Sequence, residues 1–200
     1  MNTLVYDVEV LRGPDEVDGG WDNPFGMGFG TAVVYDYCRD VYEFYGEGER
    51  RKLVNRLGGN RVVSFNGVKF DANVICSRNE VRPSWEDYDL LLEVIKSKFG
   101  LTTVQEAERK LGDKAIHDGT FGLDGLAEGT LGLRKTGHGA KAPELIRNGK
   151  WAEVYAYNLN DVRLTRMLYD FVSQYGYVVD RRGRKIVVDK RTNGWRPMSK

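Results

Sequence analysis

The sequence predicts an α/β domain: a mixed β-sheet flanked by helices and followed by a C-terminal β-hairpin. Three observations predict it. Three strand-like runs, at 4–10, 30–37 and 41–46, come first and read as antiparallel neighbours. Helical and strand-length stretches then alternate, which favours a sheet with helices on its faces. The end of the chain, Tyr177-Val178-Val179 and Lys185-Ile186-Val187-Val188 around Arg181-Arg182-Gly183, has the pattern of a hairpin.

The first strand is Leu4-Val5-Tyr6-Asp7-Val8-Glu9-Val10. Side chains alternate along a strand, so Leu4, Tyr6, Val8 and Val10 share one face and Val5, Asp7 and Glu9 the other. A loop rich in Gly, Asp and Pro follows at 11–28 and carries Trp21, Phe25 and Met27. Loops of that length are uncommon in compact domains and are often functional. The second and third strands form a hairpin, and 47–57 reads as a short helix stopped at Gly58-Gly59-Asn60. Arg61-Val62-Val63-Ser64-Phe65 is an apolar strand that ends at Asn66-Gly67, and 70–77 is helical. A short strand at 85–89 precedes a helix at 90–99 that Gly100 ends. Thr103 caps a helix at 103–111, with Glu106 three residues on in a capping-box pattern. The segment 112–150 is glycine-rich, with one short helix at 123–131 and a mobile-looking stretch at Lys135-Thr136-Gly137-His138-Gly139. The longest helix spans 150–172.

Two hundred residues, 41% hydrophobic and 30% charged, suit one soluble domain with a small appendage. We divide the chain into a domain at 1–173 and a basic hairpin and tail at 174–200. The net charge is +1, but the tail carries +6 and the body −5. An acidic body with a basic end suits a metal site beside a polyanion-binding surface; a solvated terminal hairpin explains the tail as well. Cys38 and Cys76 have no zinc-ligand spacing and no disulfide framework. A reducing, cytoplasmic setting follows, with no signal peptide, membrane span or membrane partner expected.

Asp and Glu are poor strand formers, and two same-side acids repel. A divalent cation between them is the simplest remedy, although a polar outer face looks similar. Asp71 in Asn66-Gly67-Val68-Lys69-Phe70-Asp71 falls in the first turn of a helix. It is a third candidate ligand, or it complements the helix dipole. Asp161 lies mid-helix, with Tyr157 one turn earlier on the same face. An exposed Asp beside a half-buried Tyr is the plainer alternative. Asn160 next to Asp161 weakens the helix locally, which hints at chemistry.

Asp7-x-Glu9, Asn66-x-x-x-Phe70-Asp71 and Tyr157-x-x-x-Asp161 together resemble the three motifs of the tyrosine-containing branch of the DEDD superfamily of 3′–5′ exonucleases. The second motif is similar to the version in exonuclease domains of family-B DNA polymerases. The resemblance spans roughly residues 4–172 and implies a ribonuclease H-like fold. It implies two divalent cations, Mg²⁺ or Mn²⁺, with Asp7 bridging them. Glu9 and Asp161 would complete the site of the metal that activates water, and Asp71 would hold the second. Tyr157 would orient the attacking water. Glu9 would also accept from the terminal 3′-hydroxyl, with Asn66 and Phe70 near the nucleotide; plain core is the other reading of Phe70. The implied partner is single-stranded nucleic acid with a free 3′ end, DNA or RNA, released as nucleoside 5′-monophosphates. A structure-specific endonuclease on the same scaffold and a non-catalytic nucleic-acid-binding module are the alternatives. The hairpin tail and the loop 11–28 depart from the family pattern.

The two histidines, His117 and His138, make no zinc site with the cysteines. His138, with Arg134, Lys135 and Lys141, could contact phosphate or sit on a mobile surface loop. Asp89 and Asp118 are auxiliary acids or caps. Trp21 and Phe25 could stack on a base or anchor their loop to the core.

Overall fold

The computed structural model describes residues 1–76, 84–112, 116, 120–135 and 141–188. The chain forms two compact units, one of 1–90 and 135–166 and the other of 91–134 and 167–200.

The first unit holds a five-stranded sheet. Strands β1 (Thr3–Val10), β2 (Phe29–Asp36) and β3 (Val41–Tyr45) are antiparallel neighbours. Strands β4 (Arg61–Ser64) and β5 (Glu86–Asp89) then run parallel to β1. The order β3-β2-β1-β4-β5 is ribonuclease H-like, and the sheet is mixed as the sequence predicts. The hydrophobic alternation of β1 decides which face is core. Leu4, Tyr6, Val8 and Val10 pack with Ala32 and Val34 of β2 and Val62 of β4. Helix α2 (Arg50–Leu57) covers this face with Leu53 and Leu57, and α3 (Asp71–Ile75) does so with Val74 and Ile75. Between β1 and β2 the chain makes short 3-10 turns and α1 (Pro24–Met27), with Met27 fully buried in the same core.

The opposite face carries Val5, Asp7 and Glu9, with Thr31, Val33 and Tyr35 beside them in register. It is covered by the first part of the long helix Trp151–Tyr175, up to Arg166. Tyr155 packs edge-on against Phe44 at 5.7 Å, and the Arg166 guanidinium lies 4.1 Å over the Tyr35 ring. The part of this helix to Arg166 belongs to the first unit and the remainder to the second.

A further helix, Ala142–Arg147, stands where the sequence reading expects only glycine-rich chain. Pro143 in its first turn is the start signal that reading passed over. It approaches the sheet at Gly30, where the β1–β2 register shifts and one residue of β2 is skipped. A Cβ on Gly30 would lie 2.9 Å from both the Glu9 carbonyl oxygen and Ile146 Cδ1, so only glycine fits there.

The second unit contains the rest of α4 (Leu90–Phe99), the helices α5 (Val104–Leu111) and α6 (Leu123–Leu131), the end of the long helix, and the hairpin of β6 (Tyr177–Val179) and β7 (Lys185–Val187). Thr103 Oγ1 accepts from the Glu106 amide at 3.1 Å, the expected cap. Glu106 reaches back to the Thr102 amide, one residue earlier than a capping box requires. The hairpin docks on α6, where the Val179 amide donates to Thr130 Oγ1 at 2.9 Å. Arg181 is paired with Asp124 and Glu128, and Arg184 with Asp180. These two cations of the basic end are therefore already spent inside the chain. Among the described residues no helix is long and apolar enough to cross a membrane.

Candidate active site

Four acids from three elements line one cleft of about 250 Å³ in the first unit. Asp7 and Glu9 reach it because strand alternation turns them away from the core. Glu9 is buried and Asp7 partly covered.

Asp71 arrives through a shaped turn. The last rung between β1 and β4 joins Val5 and Val63, so the Val8 amide has no strand partner on that side. Asp71 Oδ1 accepts from it at 2.9 Å and takes the place of the missing strand. Between β4 and α3 the chain reverses at Asn66, whose φ of 66° is left-handed, a conformation asparagine tolerates. Asp89 pins this turn by accepting from the Asn66 amide at 2.9 Å and the Val68 amide at 3.0 Å. Of the two roles open to Asp89 in the sequence, this is backbone capping. Gly67 is required by space, since a Cβ there would sit 2.3 Å from Ser64 Oγ. Asn66 and Phe70 both line the cleft, and Phe70 also packs on the core.

Tyr157 and Asp161 enter from the long helix, one turn apart. On the same helix Asn158, fully buried, donates from Nδ2 to Asp7 Oδ2 at 2.7 Å. Lys135 comes from the chain before the helix at 142–147. Its ammonium pairs with Asp161 and lies 5.2 Å over the Tyr157 ring. Sequence reasoning did not single out Asn158, and it named Lys135 only beside His138, as a phosphate contact or part of a mobile surface loop. Asn158 carried a usable signal, since it sits three residues before Asp161 on one helical stripe. Nothing in the sequence pointed Lys135 at the acids, because a lysine in a glycine-rich stretch reads as solvated. His117, Asp118, His138 and the remainder of that stretch lie outside the described residues.

The electrostatics follow from crowding like charges in a buried place. Burial, reinforced by Asp71, Asp161 and Glu9, holds the Asp7 carboxyl well above the usual carboxylate range. Glu9 is raised by burial and by Asp161, against the opposing pull of Lys135. Asp71 is pushed up to about 7, chiefly by burial; the hydrogen bond from Val8 opposes this, and the charges of Asp89 and Asp161 add to it. Burial pulls the Lys135 ammonium down, but Asp161, Asp7 and Glu9 outweigh it and keep the lysine charged. Tyr157 is raised by burial and by Asp161, Glu9 and Asp7, which favours its protonated hydroxyl.

Four carboxyls face one ammonium, so ionising them all leaves an excess of negative charge. The donors are all oxygen, the chemistry that hard divalent cations prefer. Among the described residues, no three acidic, histidine or cysteine side chains are drawn together as a ready-made metal cage. The acids are held instead by Lys135, Asn158 and the Val8 amide. The donor set matches a divalent cation in ligand type, although among the described residues the acids are not gathered into a cage.

No family model matches the chain, and no curated protein does. Its fold is similar to that of a family B DNA polymerase from the hyperthermophilic archaeon Pyrobaculum calidifontis, at 16% identity with a TM-score of 0.53. The match covers 86% of this chain and 24% of that one, so the chain spans about a quarter of the polymerase's length. At that identity the likeness is one of fold.

Proposed function

We propose that this chain is a metal-dependent 3′–5′ exonuclease of the tyrosine-containing DEDD branch. One observation carries the reading: Asp7, Glu9, Asp71 and Asp161, from a strand, a strand-to-helix turn and a distant helix, line a single cleft with Tyr157 among them. The family B polymerase fold and the three sequence motifs support it.

In this reading Asp7, Glu9, Asp71 and Asp161 hold two divalent cations, Mg²⁺ or Mn²⁺. When bound, such ions acidify water and stabilise a leaving oxygen. The chain's own groups do the positioning. Tyr157, favoured in its protonated form, holds the attacking water by hydrogen bonding. Asn158 fixes the rotamer of Asp7 through its 2.7 Å hydrogen bond. Lys135 offsets part of the negative charge that would otherwise repel the phosphodiester. Water adds to the terminal phosphorus, the bond to the 3′ oxygen of the preceding sugar breaks, and that oxygen takes a proton. The products are a nucleoside 5′-monophosphate and a strand shortened by one residue.

The test is digestion of 5′-labelled single-stranded DNA and RNA in Mg²⁺, Mn²⁺ and EDTA, beside a 3′-blocked strand and the Asp7→Ala variant. A progressive ladder abolished by EDTA, by the block and by Asp7→Ala is expected. Internal cuts despite the block would replace the exonuclease with an endonuclease. Binding without cutting in either metal would replace it with a binding module.

A further inference from the structure

The loop between β1 and β2 departs from a short connection, and its anchoring omits its most conspicuous side chain. The loop is closed by the Leu11 amide to the Gly28 carbonyl at 3.1 Å and the Arg12 amide to the Met27 carbonyl at 3.0 Å. Met27 is fully buried, Pro24 is buried and Val17 packs on the core. Asn23 accepts from the Gly26 amide at 3.1 Å and donates to the Asp18 carbonyl at 2.9 Å. Glu16 ties the loop to Arg147 at 2.8 Å. Trp21 takes no part in these contacts and is 58% exposed.

Leaving that much indole in water forgoes most of the free energy its burial would supply. The ring is nonetheless placed. It meets Phe70 at 5.9 Å between centroids, tilted by 55°, and both residues line the cleft that contains the four acids and Lys135. The ligand that suits an exposed indole at the rim of this cleft has a flat apolar face.

We propose that Trp21 is a base-stacking platform, its exposed indole receiving an unpaired base near the 3′ end of the strand, with the tilted Phe70 ring beside it. The identification of the ligand as a nucleobase rests on the nuclease reading. Stacking is tolerant of base identity and indifferent to the sugar, because every base has a π-face. It requires the base to be out of a duplex, so the platform selects for single-stranded or frayed ends.

The experiment uses the full chain in Ca²⁺, with fluorescence anisotropy of a short 5′-labelled oligothymidylate and of the same strand ending in abasic residues. Trp21→Ala should weaken binding of the normal strand about tenfold, within the range that base–aromatic stacking supplies. Trp21→Phe should keep most of the affinity. The abasic strand should bind wild type and Trp21→Ala alike. Equal binding of the normal strand by wild type and Trp21→Ala overturns the proposal. So does an equal loss on both strands, which would mark a displaced loop. Melting curves of both variants should match wild type. If the base-dependent loss appears but no metal-dependent ladder does, the nuclease reading falls and the platform stands; if wild type binds neither strand, both fall.

Discussion

Lys135 is the residue on which the charge balance of the cleft turns. It pairs with Asp161 and offsets the neighbouring Asp7 and Glu9. Removing one member of a mostly buried ion pair is costly because the other charge is left unpaired. Replacing Lys135 with Met should therefore destabilise the chain in EDTA at pH 8, by about 2 kcal/mol after allowance for the partial exposure of the lysine. The same change removes a competitor for the acids, so Mn²⁺ should bind more tightly. Thermal melts and titration calorimetry give both readouts. An unchanged melt together with unchanged Mn²⁺ affinity would show that Lys135 does not belong to the cluster's charge balance.

At the scale of elements, the turn from β4 into α3 does the most with the fewest residues. Asn66 reverses the chain, Gly67 lets it pass Ser64, Asp89 holds the turn's amides, and Asp71 caps β1. A methyl group on Gly67 would meet Ser64 Cβ at 2.5 Å and lie 3.5 Å from Asp71 Oδ2. Gly67→Ala is expected to cost about 1–3 kcal/mol through overpacking. It should also shift Asp71 and lower divalent-metal affinity. Adding Ser64→Gly removes the atoms in the way and should restore part of both losses. Failure of the second substitution to restore anything would mean that the turn is not limited by that contact.

For the whole molecule, the buried acids link stability to pH and to metal. The Asp71 carboxyl is held at about 7 when folded and near 4 when unfolded. Between those values the folded chain binds the extra proton, so stability falls as pH rises from about 4 to about 7. Its contribution is full below that window and lost above it. Asp7 and Glu9 are raised in the same direction. Wild type in EDTA should melt several degrees lower at pH 8 than at pH 5.5, with Asp71→Asn flattening the difference. Mg²⁺ should restore the pH 8 value, because a ligand that binds only the folded state stabilises it by mass action. A melting temperature that rises with pH in EDTA would contradict the charge assignment.

Features that depend on local rules were legible in the residues alone. Alternation placed Asp7 and Glu9 opposite the apolar residues of β1, and helix periodicity put Tyr157 and Asp161 one turn apart. The mixed sheet, the hairpin and the Thr103 cap followed from the same short-range patterns. The misses were local as well: the helix at 142–147 lay hidden in a glycine-rich segment, and Glu106 reached Thr102 instead of Thr103. Tertiary structure alone decided the rest, because the deciding contacts join residues far apart in the chain. Asn158 meets Asp7 across 151 positions, and Asp71 caps Val8 across 63. Lys135 is drawn among buried acids from a stretch whose composition reads as solvent-facing, since an excess of buried negative charge recruits the nearest cation whatever its local sequence suggests. Trp21 was equally free to anchor its loop or to face the cleft; Met27, Pro24 and Val17 filled the core and left the indole outside.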